Sequence, residues 1–497
     1  MKNLKITFVL LVLIIGACTD LEEQPIGIMV SEGFYESKSD VEAAIFGAYG
    51  RMAMSESWGG EVNQALMLSS DMVDRGQSGA PPQISEINNF TGTPESWFST
   101  IFWRIGYNVI GCANEALLGN SLIDADESVT LPLEAEARVI RAFHYYLLVR
   151  IFGDLPYLDK AITDPDAVST IQKTPKEEIY QHIIDDLEFG KDNLPMQYSN
   201  NVRTRATAGT AATILASVYL TLEEWQEAYD NAKWVIDRAG ELNYSMVDDF
   251  QDLYDATKQD GISEHIFAVD FLGQERYAEN DDYLPCLTGT YQIGGWSIDV
   301  PSMAVYDNWD PRDYRKKVSF ADTIINNDGD TIPYTEFHVP RPYIAKYWRY
   351  PGNAYGGGRR SDNNYVLFRY AEVLLIAAES LNEISGPTEE VLGYINQVRE
   401  RARRWPDKVA DFPADVPSGL STDEFRDVIL EERRIELAFE YKRWFDIQRR
   451  KLGDEVYKGA NSLEPHPDFN SDKHYLLPIP QQEIDMNPNL KPQNPGY

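Results

Sequence analysis

The chain has 497 residues, a formal net charge of −34 and a hydrophobic content of 43%. So acidic a chain repels nucleic-acid phosphates and anionic lipid headgroups, which argues against a nucleic-acid role and against a basic membrane-binding face. The length exceeds what one compact core usually holds, and the hydrophobic content is ample for folded structure.

The N-terminal segment has the pattern of a secretory signal. A short basic start precedes an apolar run from Phe8 to Ile15, and two small residues then lead to Cys18. The run is far shorter than the ~20 residues of a membrane-spanning helix. Its end resembles a lipobox, so we predict a signal peptide over 1–17, acylation (palmitate) at Cys18 and a tether over 18–38. The alternative is an ordinary signal peptide with an incidental cysteine.

Helical periodicity dominates the chain from residue 39 to residue 242. A capping box from Ser39 to Glu42 predicts the start of the first helix. Residues 55–95 are rich in Ser, Gly, Pro and Asn and predict long loops. The further predicted helices, in chain order, are 97–118, 133–152, 174–193, 204–222 and 225–239.

Two of these helix boundaries carry specific signals. Thr174, followed by Pro175, predicts a capping box with proline at the first helical position. Glu223 and Glu224 form a tight acidic link after a helix that is rich in small residues. Such a helix pair is typical of a tetratricopeptide-type hairpin, although a generic antiparallel hairpin has the same pattern.

Residues 243–362 lose helical periodicity and are punctuated by Gly, Pro, Asn and Asp. His265 to Val269 is a short apolar run that predicts a strand. Ten Tyr and three Trp lie between Tyr277 and Tyr355. Because loops have little core to fill, aromatic residues at this density indicate a binding surface.

Helices are predicted again at 365–383, at 388–404 and from Ser421 towards Lys451. Glu432, Glu436 and Glu440 share one face of the last helix, beside several arginines. A glycosidase needs two carboxyls with separated pKa values, whereas this row predicts ion pairs that depress the pKa. We expect a structural network here, and buried helix–helix pairs for four further residues: Arg138, Arg141, Glu372 and Glu379.

Four ordered segments carry a family resemblance: 134–146 with 152–156, 369–379, 432–440 with 443–446, and 477–497. Together with the lipobox they resemble the SusD/RagB-like outer-membrane nutrient-binding lipoproteins. The resemblance implies a mainly α fold, an α/α superhelix with a tetratricopeptide-like helical hairpin scaffold. The scaffold would span about 39–242 and 363–497 of a body over 39–497. A loop-rich second layer over about 243–362 would carry the ligand site.

The resemblance also implies a function. Members bind a nutrient, usually an oligosaccharide or polysaccharide, as lipid-anchored, surface-exposed lids over a SusC-like TonB-dependent outer-membrane transporter. The acidic cluster from Asp20 to Glu23 is similar to a surface-export signal of such lipoproteins. We therefore expect a binding protein without enzymatic activity or cofactor. The alternatives are a peptide-capturing lid of the RagB type, a glycan-degrading surface enzyme and a helical-repeat scaffold that binds only protein.

The predicted ligand-binding residues combine flat aromatic faces with polar groups that can orient sugar hydroxyls. Five tryptophans with helical spacing are expected in the core instead: Trp97, Trp103, Trp225, Trp234 and Trp444. The candidates are Tyr283, Tyr291, Trp296 and Trp309 from the loop-rich layer, with Trp58, Asp74 and Arg75 from the N-terminal loops.

No metal or nucleophile motif stands out. The six histidines are scattered, and the chain contains neither HExxH nor GxSxG. The run from Asn326 to Asp330 suggests calcium only weakly and is interpreted as a surface turn. Cys112 and Cys286 could form one disulfide, but we favour two free, buried thiols.

Overall fold

The computed structural model describes residues 34–76, 79–162, 164, 168–273, 281–325, 329–350 and 352–497. The predicted signal peptide, Cys18, the acidic cluster and most of the predicted tether lie outside these ranges, as do 326–328 of the weak calcium candidate. None of the helices in the described ranges is both long enough and apolar enough to cross a membrane.

Helices form most of the scaffold. In chain order they are α1 (Lys38–Met52), α2 (Glu61–Leu68), α3 (Pro82–Asn88), α4 (Trp97–Leu122), α5 (Glu127–Phe152), α6 (Lys176–Asn193), α7 (Ala208–Leu222), α8 (Trp225–Asp237), α9 (Ala239–Leu242), α10 (Leu284–Thr288), α11 (Met303–Asn308), α12 (Tyr314–Ser319), α13 (Tyr370–Ser385), α14 (Glu389–Ala402), α15 (Thr422–Glu436), α16 (Lys442–Arg449), α17 (Gly453–Lys458) and α18 (Gln481–Met486).

The strands are short and pair two by two, always antiparallel: β1 with β3, β2 with β8, β4 with β7, β5 with β6, and β9 with β10. They are β1 (Val73–Arg75), β2 (His265–Val269), β3 (Asp299–Pro301), β4 (Phe320–Ala321), β5 (Thr323–Ile325), β6 (Thr331–Pro333), β7 (Tyr343–Ile344), β8 (Tyr365–Arg369), β9 (Arg404–Trp405) and β10 (Lys408–Val409).

The long helices pack as a continuous array in nearly sequential order. Helix α4 packs between α1 and α5, α6 between α5 and α7, and α8 between α7 and α13, which in turn contacts α14 and α15. Small buried residues such as Ala211 and Ala212 let α7 approach its neighbours closely. This array confirms the predicted mainly α fold with a helical hairpin scaffold.

The predicted first helix begins earlier than expected. Its capping box joins Ser37 and Asp40, because the Asp40 carboxylate accepts a hydrogen bond from the Ser37 amide at 2.8 Å. Just before it, Tyr35 packs on α4, where a Cβ at Gly119 would lie 2.4 Å from the tyrosine ring. The described end of the predicted tether, residues 34–38, therefore belongs to the folded body.

Two predictions for the N-terminal half are wrong in detail. Residues 55–95 are not only loops, since they contain α2, α3 and β1; the buried face of α2 was hidden by the polar composition around it. Helix α6 has Pro175 as its N-cap rather than a capping box at Thr174. The Thr174 amide is already used, because it donates to the Leu155 carbonyl at 2.9 Å.

Residues 365–369 were predicted to be helical but form β8, and α13 begins only at Tyr370. The pairing of β8 with β2 overrides the local helical pattern, and both strands are wholly buried. The predicted strand from His265 to Val269 is confirmed as β2.

The predicted long C-terminal helix is interrupted. Helix α15 ends at Glu436 and α16 begins at Lys442, with Phe439 and Tyr441 at φ 65° and 58° between them. The break places the Glu440 carboxylate among cations of other elements: its oxygens lie 2.7 Å from Lys346 Nζ and 2.9 Å from Arg369 Nε.

The carboxylate row is a buried ion-pair network, as predicted, but its partners come from other elements. Glu436 pairs with Arg315 at 2.9 Å, with Arg369 at 2.5 Å and with Arg401. Burial alone would raise the pKa of Glu436, but the three guanidinium groups outweigh it and lower the pKa. In the same way the pKa of Glu440 falls to about 2. Carboxyls with such low pKa values are poor general acids near neutral pH.

The other predicted scaffold pairs are also present. Arg141 contacts Asp186 at 2.8 Å, and Arg138 bridges Glu134 and Asp186 at the edge of the same group. Two more pairs tie α13 to α16: Glu379 with Arg449 at 2.6 Å, and Glu372 with Lys442 at 2.8 Å.

Aromatic residues of the loop-rich layer partly fill small cores of their own. Tyr314 and Tyr350 pack with Phe250 in one of these, and Phe337 packs with Tyr343 in another. The density of aromatics therefore reflects local cores as well as surface. Cys112 and Cys286 are both free, as favoured from the sequence, but Cys112 is only half-buried.

Candidate functional site

The N-terminal loops meet the loop-rich layer through β1 and β3. In this pair Asp74 lies opposite Val300, and Arg75 lies opposite Asp299. The next amide, Gly76 N–H, donates to the Ile298 carbonyl at 2.7 Å. A Cβ at Gly76 would lie 2.3 Å from the Ser297 carbonyl oxygen, so this approach requires glycine.

Residues 283–298, which we call the aromatic loop, run through α10 and return alongside it. Backbone hydrogen bonds hold the return: Trp296 N–H donates to the Cys286 carbonyl at 2.6 Å, and Ser297 N–H to the Gly289 carbonyl at 2.8 Å. The Cys286 N–H donates to the Gly358 carbonyl at 2.9 Å, which ties the aromatic loop to the glycine-rich segment 355–360.

Tyr283 and Trp296 stand at the two ends of the aromatic loop and contact each other. Their ring centroids are 5.9 Å apart, with an angle of 39° between the planes. The exposed Arg359 holds its guanidinium carbon 5.5 Å from the centre of the Trp296 ring. Both rings are half-buried, so the pair presents apolar faces beside a cation.

Trp348 packs beneath the aromatic loop that carries Tyr283 and Trp296. A Cβ at Gly358 would lie 2.1 Å from Trp348 Cζ3, and one at Gly289 would lie 2.4 Å from Cε3. Because neither glycine carries a side chain, the indole can pack between the aromatic loop and the glycine-rich segment. Trp348 is half-buried there.

Tyr291 is the most exposed of the predicted aromatic residues, with 44% of its surface accessible. Its ring centroid lies 4.9 Å from that of His338, at an angle of 60°. The two rings form a second aromatic face on the same loop as Trp296.

Trp58 and Trp309 do not present a face to a ligand. Trp58 is only 1% exposed and stacks between Phe143 at 5.8 Å and Tyr365 at 6.0 Å. Trp309 is 2% exposed and packs edge-on against Phe320 at 5.2 Å. Both are core side chains, because neighbouring elements cover rings that the sequence placed in loops.

Asp74 and Arg75 are half-exposed and engaged in contacts that fix the edge of the site. Arg341 lies 2.9 Å from an Asp74 carboxylate oxygen and also reaches the Pro301 carbonyl. Arg75 donates to the hydroxyl of Ser85. The sequence prediction missed Arg341, His338 and Arg359; the triple glycine before Arg359 was the available signal for a tightly built surface.

Two carboxyl groups beneath the site are buried. Burial raises the pKa of Asp282 and of Asp299 to about 8. Asp299 accepts a hydrogen bond from the Gln64 amide at 3.0 Å. In the described ranges no group of three or more His, Cys, Asp or Glu side chains is arranged to hold a metal ion. The site thus offers aromatic faces, cations and hydroxyls, which suit the apolar faces and hydroxyl rim of a sugar.

Comparison with known proteins agrees with this architecture. The SusD family model matches residues 303–497, and a model described as "Starch-binding associating with outer membrane" matches residues 43–220. The SusD-like protein P2 of Formosa agariphila is 44% identical over 511 aligned positions, with 100% of both chains covered.

Solved structures share the fold. A SusD homolog from Bacteroides thetaiotaomicron has a TM-score of 0.80 at 22% identity, covering 94% of this chain and 98% of that one. A laminarin binding SusD-like protein has a TM-score of 0.77 at 22% identity, covering 93% of this chain and 100% of that one. Surface glycan-binding protein A of Bacteroides thetaiotaomicron, in complex with laminarihexaose, has a TM-score of 0.76 at 19% identity, covering 92% and 99%. The full-length relative, together with the two family models, shows that the chain belongs to the SusD family.

Proposed function

We propose that this protein is a non-enzymatic lipoprotein of the outer-membrane surface that captures an oligosaccharide or polysaccharide and delivers it to a SusC-like TonB-dependent transporter. The observation that carries the proposal is the half-exposed pair of Tyr283 and Trp296, beside Arg359. Tyr291 with His338, and Asp74 with Arg75 and Arg341, would form its rim.

The chemistry of this surface favours a sugar over a small anion or a metal. A pyranose ring has apolar C–H faces that stack on tryptophan or tyrosine, and hydroxyls that guanidinium and carboxylate groups can orient. Binding of this kind requires no cofactor and no pKa adjustment.

Two solved neighbours are named for laminarin or laminarihexaose, which supports a glycan as the ligand class for this chain. The outer-membrane association in the description of the matching family supports the proposed location. Cys18 would carry the lipid, and the residues after it would let the body close on the transporter as a lid.

Isothermal titration against a panel of neutral oligosaccharides that includes laminarihexaose tests the binding step. We expect Trp296→Ala and Tyr283→Ala each to weaken binding on the order of tenfold, since each removes one stacking face. Trp97→Ala is the matched control: contrary to the predicted core position, Trp97 is 41% exposed, and it lies outside the site, on α4.

Three results would contradict the proposal. Binding of peptides but of no glycan would favour the peptide-capturing lid. New reducing ends during incubation with a polysaccharide would favour the surface enzyme. Unchanged glycan affinity in both site variants would remove Tyr283 and Trp296 from the site.

A further inference from the structure

The loop-rich layer has a second concave surface, which we call the basic cleft. It has a volume of about 640 Å³ and lies between α12, β5 and the strand that carries Trp405. Its lining includes Tyr306, Lys316, Lys317, Asp322, Arg349 and Trp405.

Three cations line this cleft although the chain carries a net charge of −34. Among the residues that the structure describes, none of the three forms an ion pair with a carboxylate. Lys316 donates to the Trp309 carbonyl at 2.8 Å, Arg349 donates to the carbonyls of Lys317 and Phe320, and the exposed Lys317 reaches over the Trp405 ring. Their charges are therefore held in place by backbone and rings and remain uncompensated by direct pairing.

Aromatic rings stand beside these cations. Lys316 Nζ lies 4.3 Å from the centre of the Tyr306 ring, and Lys317 Nζ lies 5.6 Å from the centre of the Trp405 ring. Both rings are half-buried and border the open space. The cleft thus combines flat apolar faces with positive charge.

One carboxylate also lines the cleft. Asp322 accepts a hydrogen bond from the Tyr306 hydroxyl at 2.9 Å, which orients the ring and places one negative charge opposite three positive ones. Asp307 and Asp310 lie close enough to act on Lys316 but are not part of the lining. The lining itself keeps an excess of positive charge.

We propose that the basic cleft is a second saccharide site, which binds a sugar unit bearing a carboxylate or a sulfate ester. The aromatic rings would take the sugar face, and Lys316, Lys317 and Arg349 would take the anionic group. A neutral sugar would leave these cations without a counter-charge, so the site should discriminate in favour of acidic units.

This cleft is distinct from the site around Trp296. No residue of its lining contacts Tyr283 or Trp296 among the ring contacts of the described chain. Ile324, which lines the cleft, packs with Phe337 and Tyr343 in a small core, and Trp348 packs against the same core. The two sites therefore border one small core through different residues and can be disabled separately.

The test is titration of the full mature chain with three probes: a galacturonic acid hexamer, a sulfated galactose hexamer and the unsulfated galactose hexamer. We expect at least one anionic probe to bind. Lys317→Glu should lower the affinity for that probe about tenfold at low salt and by a smaller factor at high salt. Trp405→Ala should weaken the same probe at both salt concentrations. Lys176→Glu, an exposed charge reversal on α6, changes the net charge equally and should have less than about a twofold effect.

Trp296→Ala should leave the anionic probe unaffected, so that failure of the neutral-glycan site and failure of the basic cleft give different results. Binding of one anionic probe alone identifies the carboxylate or the sulfate as the recognised group. The proposal is overturned if neither anionic probe binds, if Lys317→Glu does no more than Lys176→Glu, or if the unsulfated hexamer binds the cleft equally well.

Discussion

Arg315 and Glu432, 117 positions apart in the chain, form a buried ion pair with 2.6 Å between Nη1 and a carboxylate oxygen. Arg315 belongs to α12 of the loop-rich layer, and Glu432 belongs to α15 of the scaffold. The same guanidinium also reaches Glu436 at 2.9 Å. Buried charges therefore join the layer that carries the proposed sites to the helical array beneath it.

Glu436→Gln should destabilise the protein by about 3–5 kcal/mol, because it leaves three buried guanidinium groups short of a counter-charge. The measurement is urea denaturation followed by circular dichroism. Glu431→Gln is the control on the same helix: the Glu431 side chain is 52% exposed, so the loss of its pair with Arg434 should cost less than about 1 kcal/mol. Equal effects of the two variants would show that the network contributes nothing beyond a surface pair.

Asp299→Asn should stabilise the protein increasingly as the pH rises. Burial raises the folded-state pKa of Asp299 from 3.8 to about 8, so the folded state holds a proton that the unfolded state has lost. Stability from this group is complete below pH 4 and is lost as the pH rises towards 8. Asparagine cannot ionise, and its advantage at pH 8 should be on the order of 5 kcal/mol.

Thermal unfolding at pH 5 and pH 8 measures this difference. Asp192→Asn, on an exposed position of α6, is the control for the loss of one carboxylate. A gap between Asp299→Asn and the unchanged protein that stays constant across this range would mean that Asp299 is ionised in the fold.

Trp58→Ala and Trp296→Ala should have opposite signatures. Loss of the buried Trp58 should cost about 3–5 kcal/mol of unfolding free energy, whereas the half-buried Trp296 should cost about 1 kcal/mol. Folded Trp58→Ala protein should bind glycan with unchanged affinity, whereas Trp296→Ala protein should bind it about tenfold more weakly. Denaturation and titration of the same preparations check both statements. If Trp58→Ala lost glycan binding but kept its stability, Trp58 would be a ligand-binding residue after all.

Cys18→Ala should release the protein from the membrane without altering the folded body. The lipid would be attached to Cys18, whereas the described fold begins with Phe34 and Tyr35. Fatty-acid labelling and fractionation of whole cells measure anchoring, and thermal unfolding of the purified variant measures the fold. A variant that still incorporates labelled fatty acid and remains at the surface would contradict lipidation at this cysteine.

Local signals indicated some helix starts correctly but not all, since the capping boxes predicted at Ser39 and Thr174 are not formed there. The predicted helix start at Ser421 is confirmed, because the Glu424 carboxylate accepts a hydrogen bond from the Ser421 amide at 2.8 Å. Other errors arose where segments distant in the chain determine the secondary structure or the ion-pair partner. Tyr365 begins a strand because β2 lies beside it, and the partner of Glu432 is Arg315, which no local pattern indicates.

The candidate site shows the same division. Trp58 and Trp296 both stand in irregular sequence, and only tertiary packing determines that the first is covered and the second is open. Arg341 and Arg359 were missed because they become neighbours of Asp74 and Trp296 only through the fold. Composition could indicate a binding layer but could not select the residues within it.

The aromatic loop is held in shape by main-chain hydrogen bonds, from Trp296 and Ser297 back to Cys286 and Gly289. These bonds join main-chain atoms, so they do not depend on which side chains the outer surface carries. The identity of those side chains can therefore change during evolution without unfolding the loop, while the glycines that admit Trp348 cannot. Divergence in ligand preference among such proteins should accumulate at exposed positions such as Tyr291, on a backbone that is inherited almost unchanged.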